Sequence, residues 1–145
     1  MARSYKQGKY EVQNWDKYIG TKTPRYLSSY EKSVFEFLDR SPAVKKWGSE
    51  VVVVPYYNTV KQRKARYLVD IYVEYENKHG IQKELLEIKP YNQTQPVKKG
   101  NKKESTYIEE SLTYQQNTDK WKAASKYAEE RGWKFKILTE RSIFR

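Results

Sequence analysis

The sequence contains no cysteine and a single histidine, His79. Disulfides, thiolate metal sites and cysteine nucleophiles are thereby excluded, and neither a histidine-based triad nor a zinc centre has the residues it needs. Apolar residues make up only 37% of the 145, and none of their runs approaches bilayer-spanning length. The first residues also lack the apolar stretch of a secretory signal. A reducing, intracellular setting is therefore expected, in which the sequon-like Asn92-Gln93-Thr94 carries no weight.

Acidic residues are scarce too, 18 against 29 basic ones, and the resulting charge of +11 is spread over the whole chain. Such a field favours polyanions, nucleic acid above all. A membrane surface is not an expected partner, because no basic helix carries a strong apolar face opposite its charges. What the chain has in quantity is aromatic area: 14 tyrosines and 4 tryptophans compensate for the shortage of aliphatic residues. With this length they suffice for one folded domain, layered on both sides of a small sheet.

Residues 1–24 are polar, basic and aromatic, broken by Gly8, Gly20 and Pro24, and are expected to form an arm that lies along the domain or orders on a partner. Residues 25–145 would form the domain proper. Ser28-x-x-Glu31 is a capping box, and Tyr30, Val34, Phe37 and Leu38 recur at helical spacing until Pro42 forbids continuation. The valines at 51–54 suggest a strand buried on both faces, followed by a basic loop or ragged hairpin with Lys61, Arg63, Lys64 and Arg66. After Pro90 comes a flexible loop with Lys98, Lys99, Lys102 and Lys103. Thr106 and Glu109 form a second capping box, so a helix is expected from Tyr107 to about Gln116, and another, or a bent continuation, from Thr118 to Arg131. Trp133, Phe135 and Ile137 alternate with Lys134 and Lys136, the pattern of a last strand near a sheet edge.

Tyr67 to Lys89 reads as a β-hairpin turning between Lys78 and His79, with Asp70 opposite Glu87 and Leu68 opposite Lys89. By the period of two, Asp70, Glu87 and Lys89 then share one side, while Val69, Ile71, Val73, Leu86 and Ile88 take the other. A bulge at Gly80 would shift that register by one. Facing carboxylates repel, so the pair needs a reason beyond packing. A divalent cation between them is one, since oxygen ligands suit magnesium and a neighbouring lysine can orient water or steady charge on a phosphate. The alternative is a solvated sheet face carrying ordinary surface residues.

Asp70, then Glu87-Ile88-Lys89, with Glu31 on an upstream helix, resembles the PD-(D/E)xK nuclease superfamily; Val69 stands where the motif's name has proline. The stretches RYLSSYEKSVFEFLDRSPAVKKWGSE, RYLVDIYVEY, ELLEIKPYNQTQP and NTDKWKAASKYAEERGWKFKILTE resemble the head completion nucleases of large contractile-tailed phages, related in fold to the endonuclease subunit of heteromeric transposases. The resemblance implies an α/β, restriction-endonuclease-like mixed sheet of about four strands, comprising residues 51–54, the hairpin and residues 134–138, with helices on both faces. It implies Asp70, Glu87 and Glu31 as ligands of Mg²⁺, for which Mn²⁺ could substitute, and Lys89 as the catalytic lysine. Glu31 has an alternative use as the capping partner of Ser28. Lys120, near Gln116 and Asn117, would reach the scissile phosphate, and Arg63, Arg66, Lys98, Lys99, Lys102 and Lys103 would hold double-stranded DNA by its backbone.

In that family's setting the protein would cleave packaged DNA ends late in head assembly, before neck and tail joining. It would do so in the host cytoplasm or in the virion, with portal or neck proteins as further partners. Two competing readings stand beside it: a structural head-closure or DNA-end-binding protein with residual or no nuclease activity, and a repair or restriction-type nuclease unconnected with virions.

Overall fold

The computed structural model describes residues 7–143, so the first six residues of the expected arm lie outside the described residues. A four-stranded mixed sheet runs in the order β3 (Val44–Ser49), β6 (Ile71–Asn77), β7 (Gly80–Ile88), β8 (Lys134–Leu138). The first three strands are antiparallel neighbours; β8 joins β7 in parallel and closes one edge, where its lysine alternation suggested it would be. Helix α1 (Ser29–Arg40) covers one face and α2 (Glu104–Glu130) the other, giving the expected α/β, restriction-endonuclease-like arrangement. Two short antiparallel pairs stand outside the sheet: β1 (Gly8–Lys9) with β2 (Arg25–Tyr26), and β4 (Val53–Asn58) with β5 (Arg63–Leu68). A last turn of helix, α3 (Glu140–Ile143), follows β8. No helix among the described residues is long and apolar enough to cross a membrane.

The hairpin register is the predicted one, from Ile71 opposite Leu86 to Asn77 opposite Gly80 around the Lys78-His79 turn. Gly80 takes a left-handed φ of 99° there without a bulge. Ser28 caps α1 by accepting the Glu31 N–H at 3.2 Å, while Glu31 Oε1 accepts from the Leu27 N–H at 2.7 Å, one residue earlier than the motif's usual reciprocal bond. The buried stripe of α1 is Val34, Phe35 and Leu38, and Phe37, expected inside, is 66% exposed.

Three other expectations are corrected. Residues 67–77 are not one strand: the chain leaves the β4–β5 ribbon after Leu68, bends at Asp70 and enters the main sheet at Ile71. Val69 consequently joins Tyr67 and Leu85 in the core under α2, and not Ile71 and Val73 under α1. The fourth strand of the sheet is Val44–Ser49, not residues 51–54. Trp47, fully buried, anchors it among Tyr18, Phe35 and Ile71, whereas Val51 and Val52 precede β4 and Val51 is exposed. Burial of one indole outweighs the β-propensity of four valines. Finally, α2 is a single unbroken helix of 27 residues that starts before the Thr106 capping box. Thr118 sits mid-helix because its hydroxyl bonds back to the Tyr114 carbonyl at 2.9 Å.

Ala124 and Ala128, both fully buried, let α2 approach the sheet closely. On the other face, Tyr10, Val12 and Tyr18 bring the chain before Pro24 into the core, with the Tyr18 and Trp47 rings 4.7 Å apart and edge-on. Asp39 fastens that segment to α1. Its Oδ2 accepts from the Tyr10 hydroxyl and the Gln13 N–H, each at 2.7 Å, and its Oδ1 accepts from the Asn14 N–H at 3.1 Å. Burial alone would raise this carboxyl's pKa, but the donors outweigh it and hold the group below its ordinary range.

Asp39→Ala leaves these donors without an acceptor and is expected to destabilise the fold by about 3 kcal/mol in urea titrations. Because the folded pKa is depressed, the carboxylate's contribution is complete above its unfolded value of 3.8 and fades as pH falls through the folded one. The stabilities of wild type and variant therefore converge below that pH.

Candidate active site

The bend at Asp70 is where two sheets exchange the chain. The Val69 N–H donates to the Val52 carbonyl, and the Glu50 N–H to the Asp70 carbonyl, each at 3.1 Å, so the corner is held on both sides. The Asp70 Oδ2 accepts from the Ile88 N–H on β7 at 2.8 Å. Beside it Glu87, only 5% exposed, accepts from the Tyr67 hydroxyl on Oε1 at 2.6 Å, and its Oε2 lies 3.7 Å from Lys89 Nζ. Glu31, Glu50 and Asp70, with Arg25, Phe35 and Ile88, line a cleft of about 110 Å³ at this end of the sheet.

Burial is the largest cause raising the pKa of Asp70; the negative charge of Glu87 comes next, and the Ile88 N–H only partly offsets them. Glu31 is raised by burial first and, more weakly, by Glu87 and Glu50, against the Leu27 N–H and Lys89. Burial and then Glu87 push the Tyr67 phenol far above its usual value, so it stays a hydrogen-bond donor. Like charges gathered around the buried Glu87 are a standing electrostatic cost.

Among the described residues, no three Asp, Glu or His side chains are drawn together tightly enough to chelate a cation as they stand. The donor set nevertheless fits a hard dication. Asp70 and Glu87 offer carboxylate oxygens whose mutual repulsion and desolvation a positive ion would relieve, and Glu31 stands within their field.

The structure thus brings Glu31, Asp70, Glu87 and Lys89 to one place. Lys120 on α2 is one side chain removed, its Nζ 5.7 Å above the ring of Tyr67. Gln116 is engaged with Asn58, and Asn117 is buried beside a separate cleft of about 510 Å³ under residues 92–98. Lys98 and Lys102 border that second cleft; Lys102 pairs with Glu110 at 2.7 Å, Lys99 closes its own loop on the Lys102 carbonyl, and Lys103 precedes α2. Arg63 and Arg66 are both exposed on β5 but on opposite faces of the ribbon.

Sequence reasoning missed Tyr67 and Glu50. Tyr67 looked like the start of a core strand, and only the ribbon's placement shows that it faces Glu87. Glu50 had one available signal, an acid following Gly48-Ser49 at a turn; its left-handed φ of 56° is uncommon for a side chain of this kind.

Residues 41–140 match the family of TnsA-like endonuclease N-terminal domains. The chain is also 42% identical over 138 residues to the head completion nuclease of Enterobacteria phage T4, covering 92% of this chain and 90% of that protein.

Asp70→Asn keeps an acceptor for the Ile88 N–H and removes the crowded charge. A carboxyl with a raised folded pKa stabilises fully below its unfolded value of 3.8 and loses that contribution as pH rises through the folded value. In EDTA the variant is expected to melt on the order of 3–5 °C above wild type near pH 9, a gap that calorimetry should see close toward pH 4.

Proposed function

The chain belongs to the TnsA-like endonuclease family, and on that premise we propose that it is a metal-dependent DNA endonuclease that trims packaged DNA ends during phage head completion, before neck and tail are joined. The observation that carries the chemistry is the facing pair of half-buried Asp70 and buried Glu87, with Lys89 3.7 Å from the second carboxylate. The phage setting is supported by the name of the T4 relative and by the near full-length similarity to it. It implies action in the host cytoplasm during assembly, with portal or neck proteins within reach.

Asp70, Glu87 and Glu31 would hold Mg²⁺, or Mn²⁺ in its place. Such an ion, when bound, polarises a phosphate and lowers the pKa of a coordinated water. The chain's own residues prepare the rest. The Ile88 N–H fixes one oxygen of Asp70, which lines the cleft, and the Tyr67 hydroxyl fixes one oxygen of Glu87, whose other oxygen lies toward Lys89. Lys89 lies where it can orient the attacking water or steady charge on the phosphate. Lys120, Arg63, Arg66, Lys98, Lys99, Lys102 and Lys103 would hold the backbone of duplex DNA without reading bases, which makes weak sequence preference the expected behaviour.

A second reading, structural head closure with dispensable cleavage, is favoured by one feature. The exposed Phe37 borders an apolar groove of about 340 Å³ lined by Val44, Val73, Leu86 and Leu138, away from the acids. Complementation separates the two: if Lys89→Ala phage mature normally while a deletion does not, catalysis is dispensable.

With linear and branched duplexes, cleavage should require Mg²⁺ or Mn²⁺ and stop on chelation. Asp70→Ala and Lys89→Ala should each lose on the order of 100-fold or more. Equal cleavage by wild type and Asp70→Ala would sink the assignment.

A further inference from the structure

The β4–β5 ribbon has two faces of opposite character. Val54, Tyr56, Asn58 and Tyr67 turn inward toward α2, and the tip is clamped there by Asp119 Oδ2, which accepts from both the N–H and the hydroxyl of Thr59 at 2.8 Å. The outer face is exposed and mixed: Tyr57 stands opposite Lys64 and Pro55 opposite Arg66, with Leu68 at the base. Tyr57 is 54% exposed, and among the described residues its ring and hydroxyl meet no hydrogen-bond or ring partner.

This face leads along the chain toward the acids: Leu68 at its base lies two residues before Asp70. Tyr67 and Val69 both enter the core under α2, so Arg66 and Leu68 look the other way, and the chain bends at Asp70 before Ile71 joins the core under α1. From Lys64 to Asp70 the chain advances six residues, roughly 20 Å at about 3.3 Å per residue.

Cations alone would serve an intact duplex, whose exterior presents sugars and phosphates. An unpartnered ring set between Lys64 and Arg66 offers something a paired base cannot use. Base stacking on an aromatic side chain is available only where a base has left its pair, and it is indifferent to sequence.

We propose that the outer face of the ribbon is a track for a DNA strand that has left its duplex, with an unpaired base stacked on Tyr57, its phosphates on Lys64 and Arg66, and the duplex reaching the acids at Asp70. The proposal rests on the nuclease reading and adds a substrate class to it: DNA with a junction between paired and unpaired nucleotides, cut on the duplex side of the stacked base.

Fluorescence anisotropy of the full-length chain in EDTA, with a blunt duplex and with the same duplex carrying an unpaired tail, tests the track. The tailed DNA should bind more tightly. Tyr57→Ala should weaken it about 5- to 30-fold more than the blunt duplex, Tyr57→Phe should retain the preference, and Arg66→Ala, which removes a phosphate contact of the tail, should also weaken the tailed DNA more. A 2-aminopurine in the tail should be quenched by wild type and by Tyr57→Phe but not by Tyr57→Ala. Equal affinity of wild type for the two DNAs, or an equal effect of Tyr57→Ala on both, overturns the track. Cleavage by wild type in Mg²⁺ is read in parallel: if it persists while the tail preference is absent, only the track is rejected, whereas no cleavage of any DNA rejects the nuclease reading itself.

Discussion

Two facing carboxyl groups, Glu87 buried and Asp70 half-buried at the cleft, constrain everything else in this fold. Asp70 and Glu87 repel, burial opposes the charge of Asp70, and nothing in ordinary packing rewards the arrangement. They stay because each is held by a neighbour that is itself fixed. The Ile88 N–H belongs to a strand bonded on both sides, and the Tyr67 hydroxyl comes from a ribbon braced against α2. The corner spends stability in order to keep its oxygens available.

The two layers of the fold divide that task. Under α1, the aromatic cluster of Tyr10, Tyr18, Phe35 and Trp47 stiffens the sheet edge at β3 and positions the helix start that carries Glu31. Under α2, buried alanines permit the close approach that seats Tyr67 behind Glu87 and brings Lys120 over its ring. Asp39 ties the N-terminal segment to the end of α1, so the chain before the first helix contributes to the same rigidity.

Much of the site was legible because it rests on local rules. The two-residue turn and Gly80 set the hairpin register, which ends with Ile71 opposite Leu86, and the Ile88 N–H then holds Asp70 at that end of β7. The capping box located Glu31 on α1 with equal directness. What could not be read was tertiary in origin. The valines before Pro55 have the stronger strand propensity, yet β3 is chosen by the burial of Trp47. The break at Asp70 depends on Val69 and Ile71 joining different cores, a preference that two β-branched residues do not express in sequence. The continuity of α2 through Thr118 depends on a hydroxyl that can cap a helix or back-bond within one. Tyr67 escaped notice for a related reason: whether a strand tyrosine fills a core or holds a carboxylate is decided by the layer opposite it.

The Asp70 and Glu87 pair is proposed as a cation site held ready by the Ile88 N–H and the Tyr67 hydroxyl. The most direct measurement is anomalous diffraction from crystals grown with Mn²⁺. A peak is expected between the two carboxylates, with Glu31 within reach of it; a peak elsewhere, or none there at saturating Mn²⁺, would contradict the proposed cation site.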